Sequence, residues 1–406
     1  MKKLTSLFII TLFSLTSCVE KNTLLAPERT PLFEMGEDGS KFYRIPALVK
    51  AADGALVAIA DKRGDALGDL PNIITIVSKR STDGGKTWSD MSIVAKGDTL
   101  AKCGYGDAVV IADEKRGNLV AVYSGNNGLW HSNEKSLIRT YTSISTDNGK
   151  TWGEVTDITD QVYGSVYGEG PRYGLFTGSG SGVQLKHGEH AGRLMLVVAA
   201  RNDAKWGGTM SNYAIYSDDF GESWHLLGEL GDDFNDSPAP YGNEPKCEEL
   251  PDGSVLLSSR KGYGRYFNVF RYTDIYSGKG NWDSVVATDQ VGDLRWGSND
   301  TNGEPLRIGN VLFQSAPTGN KRSDVSVFYR ILSKDPADYT PTNLANGWTE
   351  IKVSDTESAY SSMTILPDGN IGLYYEEAPG GYSMVYVPLD LKKLLPTKVY
   401  RQLHSR

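Results

Sequence analysis

One eight-residue phrase, written three times, constrains this chain more than any bulk property. Ser81-Thr82-Asp83-Gly84-Gly85-Lys86-Thr87-Trp88 recurs as Ser145-Thr146-Asp147-Asn148-Gly149-Lys150-Thr151-Trp152 and, in looser form, as Ser217-Asp218-Asp219-Phe220-Gly221-Glu222-Ser223-Trp224. The shared pattern is S-x-D-x-G-x-[TS]-W. Its chemistry is that of a hairpin connection: Ser and Asp side chains bond turn amides, Gly tolerates positive φ, and Trp tucks its indole beneath the loop. Each copy follows a run of strand character, Ile73-Ile74-Thr75-Ile76-Val77, Ile138 to Ile144, and Asn212 to Tyr216. A separation of roughly 60 to 70 residues exceeds one hairpin and suits a four-stranded blade with sizeable loops. At about 60 residues per unit, the stretch from Phe42 to Asp390 holds close to six blades.

Further strand candidates fill the gaps: Leu56 to Ala60, Leu119 to Tyr123, Arg193 to Ala199, Val255 to Ser259, Tyr266 to Tyr272, Val325 to Ile331, Ile371 to Tyr375 and Met384 to Leu389. Asp53-Gly54, Asp252-Gly253 and Asp368-Gly369 mark turns between them. Helical periodicity is nearly absent, save a short C-terminal stretch from Leu389 to Leu395 ahead of Pro396. With 45 Gly and 17 Pro and no linker-like segment after residue 30, the chain reads as one all-β domain over residues 31–406. A formal charge of −8 excludes binding driven by a basic field, so no nucleic-acid partner is expected.

The N-terminus is set apart. Lys2 and Lys3 precede an apolar run from Leu4 to Leu15, too short to span a bilayer and of the size of a secretory signal. It ends in Leu15-Thr16-Ser17-Cys18, which resembles the lipobox of bacterial lipoproteins. The resemblance implies a signal peptide over residues 1–18, lipidation of Cys18, and a tether over residues 19–30. An exported, membrane-anchored protein of the cell envelope is therefore expected, facing the periplasm or the cell surface. Cys103 and Cys247 remain, too few for a disulfide framework or a cysteine zinc site.

The triple repeat resembles the Asp box of sialidases. Phe42-Tyr43-Arg44-Ile45-Pro46 adds a match to that family's [FY]RIP motif, so the resemblance covers nearly all of the mature chain. It implies a six-bladed β-propeller and exo-α-sialidase activity, with sialylated glycans, glycoproteins or glycolipids as partners. No cofactor and no metal are expected, and a monomer suffices.

The resemblance also implies site residues. Arg44, Arg260 and Arg322 match the three arginines that grip the substrate carboxylate. A guanidinium fork fits a carboxylate bidentately and keeps its charge when desolvated. Three clustered cations repel, so a carboxylate should buttress one of them; Glu376 is the match for the partner of Arg44, with Glu377 the competitor. For bond cleavage the family uses a Tyr nucleophile, an exception among glycosidases. The anomeric carbon of a sialic acid carries a carboxylate, which would repel an attacking Asp or Glu. A phenol needs a base beside it. Tyr360 and Glu244 match, standing 16 residues before Glu376 and Arg260 respectively.

For the general acid, Asp69 matches the family layout between Arg44 and the first Asp box, and Asp65 on the same loop is the alternative. The acid's pKa should rise when substrate displaces water. Asp107, in Gly104-Tyr105-Gly106-Asp107, matches the pocket Asp that faces the sugar's ring substituents. Trp130, Trp206 and Trp296 have flat faces that suit subsites, but nothing in the sequence assigns them. Within the same frame stand three rivals: a trans-sialidase, a hydrolase of a related keto-deoxy sugar acid, and a non-catalytic glycan-binding propeller.

Overall fold

The computed structural model describes residues 28–188, 190–229, 242–298, 300–378 and 382–404. The signal segment 1–18, with Cys18, and the tether up to residue 27 lie outside them. The described strands form six sheets of four or five strands, the blades of a propeller. Blade 1 runs Tyr43–Lys50, Leu56–Lys62, Thr75–Ser81 and Ser92–Ala95 from the axis outward. Blades 2, 4 and 5 repeat this meander from Tyr105–Ala112, Pro245–Glu249 and Pro305–Ile308. Blade 3 has a divided inner edge, Leu175–Thr177 and Val183–Gln184 on Leu194–Arg201. The Gly180–Ser181 segment between them crosses over to pair parallel with blade 2.

Blade 6 closes the ring. Its inner three strands, Ser358–Ile365, Ile371–Glu377 and Ser383–Leu389, come from the C-terminal end, and its outer strand is Thr30–Phe33. Thr30 pairs opposite Tyr386, so the expected tether gives up its last residue to the domain. The reason is the edge: a final strand left unpaired would expose a row of backbone donors and acceptors.

The apolar residues gather between blades. Among the described residues, buried clusters join every pair of adjacent sheets, such as Val57 and Ile59 with Val110 and Leu119 across blades 1 and 2, or Phe313 and Val327 with Leu373 and Val385 across blades 5 and 6. Both faces of a blade are therefore covered, and central strands read as continuous hydrophobic runs such as Leu194–Arg201.

All three Asp boxes close the hairpin between the third and fourth strands of their blade. In the first, Ser81 Oγ donates to Asp83 Oδ1 (2.8 Å), while Asp83 accepts from the amides of Lys86 and Thr87 and from the Thr87 hydroxyl. The Trp88 indole donates to Gly85 O (3.0 Å). Around Asp147 and Asp219 the two hydroxyl bonds and the amide bond from four residues on recur, while the Trp152 indole donates instead to Ser78 Oγ (3.1 Å) of blade 1. Hydrogen bonds from Thr87 hold the Asp83 carboxyl well below the usual range.

The box also fixes blade spacing. At Gly85, Gly149 and Gly221, all at positive φ, a Cβ would stand 2.2 Å from Tyr386, 2.7 Å from Val57 and 2.8 Å from Val120. Each of those side chains belongs to the preceding blade.

Among the described residues four α-helices depart from the sequence reading, the one-turn Thr288–Val291 and Pro341–Leu344 and two longer ones. Residues Thr159–Tyr167 form a nine-residue helix burying Val162, Tyr163, Val166 and Tyr167. Its i, i+4 spacing is real but short, and Gly164 with an uncapped start weakens the signal. At the C-terminus, Leu391–Leu394 is helical as expected, and Pro396 then begins a second helix, Thr397–Gln402, as an N-terminal proline can.

Gly149→Ala should cost about 2–4 kcal/mol, combining left-handed backbone strain with overpacking against Val57. A urea titration checks this; an unchanged midpoint would show that blade 1 yields to the extra methyl.

Candidate active site

The inner strands converge on the axis, and at one end of it three of them break their register. In blade 1 the ladder shifts between Arg44 and Ala47, in blade 2 between Gly106 and Val109, and in blade 6 between Ser358 and Ser361. These bulges contain Arg44, Asp107 and Tyr360. A bulge re-aims a side chain that regular pleating would send into the sheet packing. Ile45 and Asp107 adopt positive φ, 62° and 59°. For a β-branched residue such as Ile45 this is strained backbone, which persists only where its surroundings hold it.

What holds Ile45 is Glu376, whose side chain is fully buried. Its carboxylate accepts from Arg44 Nε (3.0 Å) and Nη2 (3.1 Å), from the Ile45 amide (2.8 Å) and from the Tyr360 amide (3.2 Å). Glu377 turns the other way, toward Arg29 and the Thr356 hydroxyl (2.8 Å). Strand alternation separates the neighbours: one faces the axis, the other does not.

Tyr360 stands at the centre. The guanidinium carbons of Arg44, Arg322 and Arg260 lie 5.2, 5.5 and 5.9 Å from its ring centroid. Its hydroxyl donates to Glu244 Oε1 and accepts from Arg260 Nη1 (2.9 Å), which also donates to Glu244 Oε2 (2.7 Å). Burial, reinforced by the Glu244 charge, pushes the phenol above its usual pKa against the pull of three arginines. The Tyr360 proton is thus retained in the free protein and already directed at Glu244. Both 16-residue spacings have one cause: Glu244 sits opposite Arg260, and Tyr360 opposite Glu376, across the inner hairpins of blades 4 and 6.

The three arginines differ in their compensation. Arg44 has Glu376, and Arg260 has Glu244 and Asp300 (2.6 Å). Arg322 has no carboxylate within 4 Å among the described residues. A pocket with one unmatched cation suits an anionic ligand.

Asp69 lies across the site on the loop after the second strand of blade 1, its side chain 72% exposed. Its Oδ1 accepts from Arg63 Nη1 (2.7 Å) and lies 4.0 Å from Arg44 Nη1. Partial burial opposes ionisation there, but Arg63, Arg44 and Arg322 overcome it and hold the carboxyl below its ordinary pKa. Asp65 instead reaches outward to Lys41 (3.0 Å). Of the two loop acids, only Asp69 belongs to this cluster.

Asp107 joins from blade 2. Desolvation, then the charges of Asp61 and Asp69, push its carboxyl well upward. Asp61, fully buried, is itself raised to about 7 despite its bond from Arg63 Nη2 (3.2 Å). A protonated Asp107 can donate a hydrogen bond as well as accept one.

All seven expected catalytic and binding side chains and Glu376 therefore meet at one end of the axis. Arg63, Asp61 and Asp300 escaped the sequence reading, as did Tyr382, whose ring lies 4.6 Å from the Arg44 guanidinium carbon. Asp61 had a local signal, since it pairs directly with Arg44 across the first hairpin. Beneath the site the axis is polar: Lys246 Nζ donates to Gly178 O (2.8 Å), and Arg265, wholly buried, donates to Ser258 Oγ (3.0 Å) and Thr301 O (3.3 Å).

A family model described as a BNR repeat-like domain matches residues 45–240. A sialidase of Micromonospora viridifaciens is 31% identical over 359 residues, covering 85% of this chain and 51% of that protein. A sialidase of Paraclostridium sordellii is 28% identical over 247 residues, covering 59% of this chain and 58% of its own. The chain thus spans about half the length of these curated relatives. Among solved structures, a Hadza microbial sialidase shares the fold with a TM-score of 0.71 at 23% identity, over 90% of this chain and 69% of that one.

Glu376→Ala should destabilise the protein by about 3–5 kcal/mol, because Arg44 then stays buried without its partner. Glu377→Gln should leave ligand binding near wild type. Denaturant melts and ligand titrations of both variants check the assignment; weaker binding in Glu377→Gln than in Glu376→Ala would reverse it.

Proposed function

We propose that this chain, a member of the bacterial sialidase family, is a retaining exo-α-sialidase that releases terminal α-linked sialic acids from glycoconjugates. The observation that carries the reading is the Tyr360 hydroxyl, aimed at Glu244 inside a ring of three guanidinium groups.

The chemistry follows from charge. A sialic acid carries its carboxylate on the carbon to be attacked, and Arg44, Arg260 and Arg322 together take that anion. Hydrogen bonds to charged groups contribute about 1.5–3 kcal/mol each, enough to position the sugar. Tyr360 Oη attacks the anomeric carbon as its proton passes to Glu244, so no full negative charge approaches the anionic substrate.

Asp69 must deliver a proton to the leaving oxygen. In the free protein it is held ionised by Arg63, Arg44 and Arg322. The bound carboxylate offsets that field and the sugar displaces water, and both effects raise the pKa of Asp69. After departure of the leaving group, Asp69, again a carboxylate, takes a proton from water. That water attacks the anomeric carbon, and Tyr360 leaves and regains its proton from Glu244. Two inversions return the α anomer.

A 3-fluoro sialosyl fluoride should trap the sugar on the peptide containing Tyr360, as read by mass spectrometry. Tyr360→Phe should not label there, and Glu244→Ala should label slowly. Asp69→Ala should label normally, because fluoride departs with little need of a proton. NMR of the natural reaction should show α-sialic acid first. A β first product would sink the mechanism, and a 2,7-anhydro product would assign the protein to intramolecular transfer.

In the same reading the chain is exported and anchored at the cell envelope through acyl chains on Cys18. The support is sequence: two lysines, a short apolar run and Leu15-Thr16-Ser17-Cys18, with residues 19–29 as tether to the strand that starts at Thr30. Cys18→Ser in a bacterial host should move activity from the membrane pellet to the soluble fraction with unchanged turnover. Continued sedimentation with membranes would refute the anchor.

A further inference from the structure

Beside Asp69 lies an aromatic patch that the catalytic scheme does not use. Trp206, on the loop between Leu194–Arg201 and Met210–Ser217 of blade 3, is 62% exposed, unusual for the largest apolar side chain. Trp130, on the matching loop of blade 2, lies 6.4 Å from it at an interplanar angle of 44°. His131 meets Trp206 edge-on at 4.8 Å.

The patch is built, not incidental. Arg201, only 1% exposed, donates from Nη1 to the carbonyls of Leu129 (3.0 Å) and Ser132 (2.9 Å), and from Nη2 to that of Lys205 (3.1 Å). One buried guanidinium thus staples the Trp130 loop to the Trp206 loop, and it lies 5.3 Å from the Trp130 ring centroid besides. Such bracing keeps a ring face fixed, so binding a ligand there costs little ordering.

Its place relative to the chemistry is also fixed. A Cβ at Gly128 would fall 2.4 Å from Leu70 O and 3.1 Å from Pro71 Cδ, so the Trp130 loop sits directly against the residues that follow Asp69. Leu70 is packed in the same apolar cluster as Trp130. The acid loop and the aromatic loops therefore form one wall.

On the reading that Asp69 protonates a glycosidic oxygen, the sugar leaving with that oxygen must lie on the Asp69 side of the site. That sugar is neutral, so the arginines offer it nothing. A pyranose has an apolar C–H face, for which a rigid indole face is the fitting surface. We infer that Trp206, braced by Trp130 and His131, is the platform on which the neutral hexose next to the sialic acid stacks. It discriminates leaving groups and takes no part in bond cleavage. The inference rests on the sialidase function proposed above.

The test uses the full-length chain and two substrates, 3′-sialyllactose and α-sialosyl fluoride, the second having no leaving-group sugar. Trp206→Ala should lower kcat/KM for sialyllactose about fivefold to tenfold, mainly through KM, and leave the fluoride within about twofold. Trp206→Phe should recover part of the loss. An equal loss on both substrates, or none on sialyllactose, overturns the platform while the hydrolase reading stands. A wild-type chain inactive on both substrates overturns the hydrolase reading and the platform with it.

Discussion

A single buried carboxylate organises the candidate site. Glu376 accepts four hydrogen bonds, two from Arg44 and one each from the amides of Ile45 and Tyr360. Isolated, a fully desolvated carboxylate would be very costly; satisfied on four sides, it ties blade 1 to blade 6 at the point where the ring closes. It also stabilises the positive φ of Ile45, and so the bulge that turns Arg44 toward the axis. Arginine and tyrosine, more than 300 residues apart in sequence, take their positions from the same two oxygens.

Around this anchor the site gathers cations under graded compensation. Arg44 is matched inside the protein, Arg260 is matched twice, and Arg322 has no carboxylate partner within 4 Å among the described residues. The acids divide in the same way. Asp69, exposed and beside arginines, is held ionised, while Asp107 and Asp61, desolvated together, are pushed toward their neutral forms. Carboxylates of one residue type within one pocket thus carry different charge because their surroundings differ, which is the condition for dividing acid and binding roles among them.

The rest of the propeller makes that geometry reproducible. Adjacent blades share apolar clusters, and the glycine two residues after the Asp of each Asp box lets the hairpin press against the blade before it. The N-terminal strand on blade 6 closes the ring, so the inner strands cannot splay apart without breaking that ladder. A site built from loops and strand starts of several blades needs such a frame, since its side chains are spread over blades 1, 2, 4, 5 and 6.

Sequence by itself determined the architecture and the chemical inventory. The boxes are local devices: Asp83, Asp147 and Asp219 bond amides within four residues, so the motif can be read without knowing what lies across the chain. The 16-residue steps from Glu244 to Arg260 and from Tyr360 to Glu376 were legible for the same reason, being the register of single hairpins. Asp69 over Asp65 and Glu376 over Glu377 rested on family spacing, and geometry supplied the cause: Asp65 faces Lys41, and alternation turns Glu377 away from the axis. Tertiary structure alone decided the partners that come from different blades. Arg63 holds Asp69 within one loop of blade 1, whereas Asp300 on Arg260, Tyr382 over Arg44, and Trp206 stapled to the Trp130 loop through Arg201 depend on where sheets meet. No local pattern encodes that meeting, because the hydrophobic contacts that set the blade angles are spread over the whole ring.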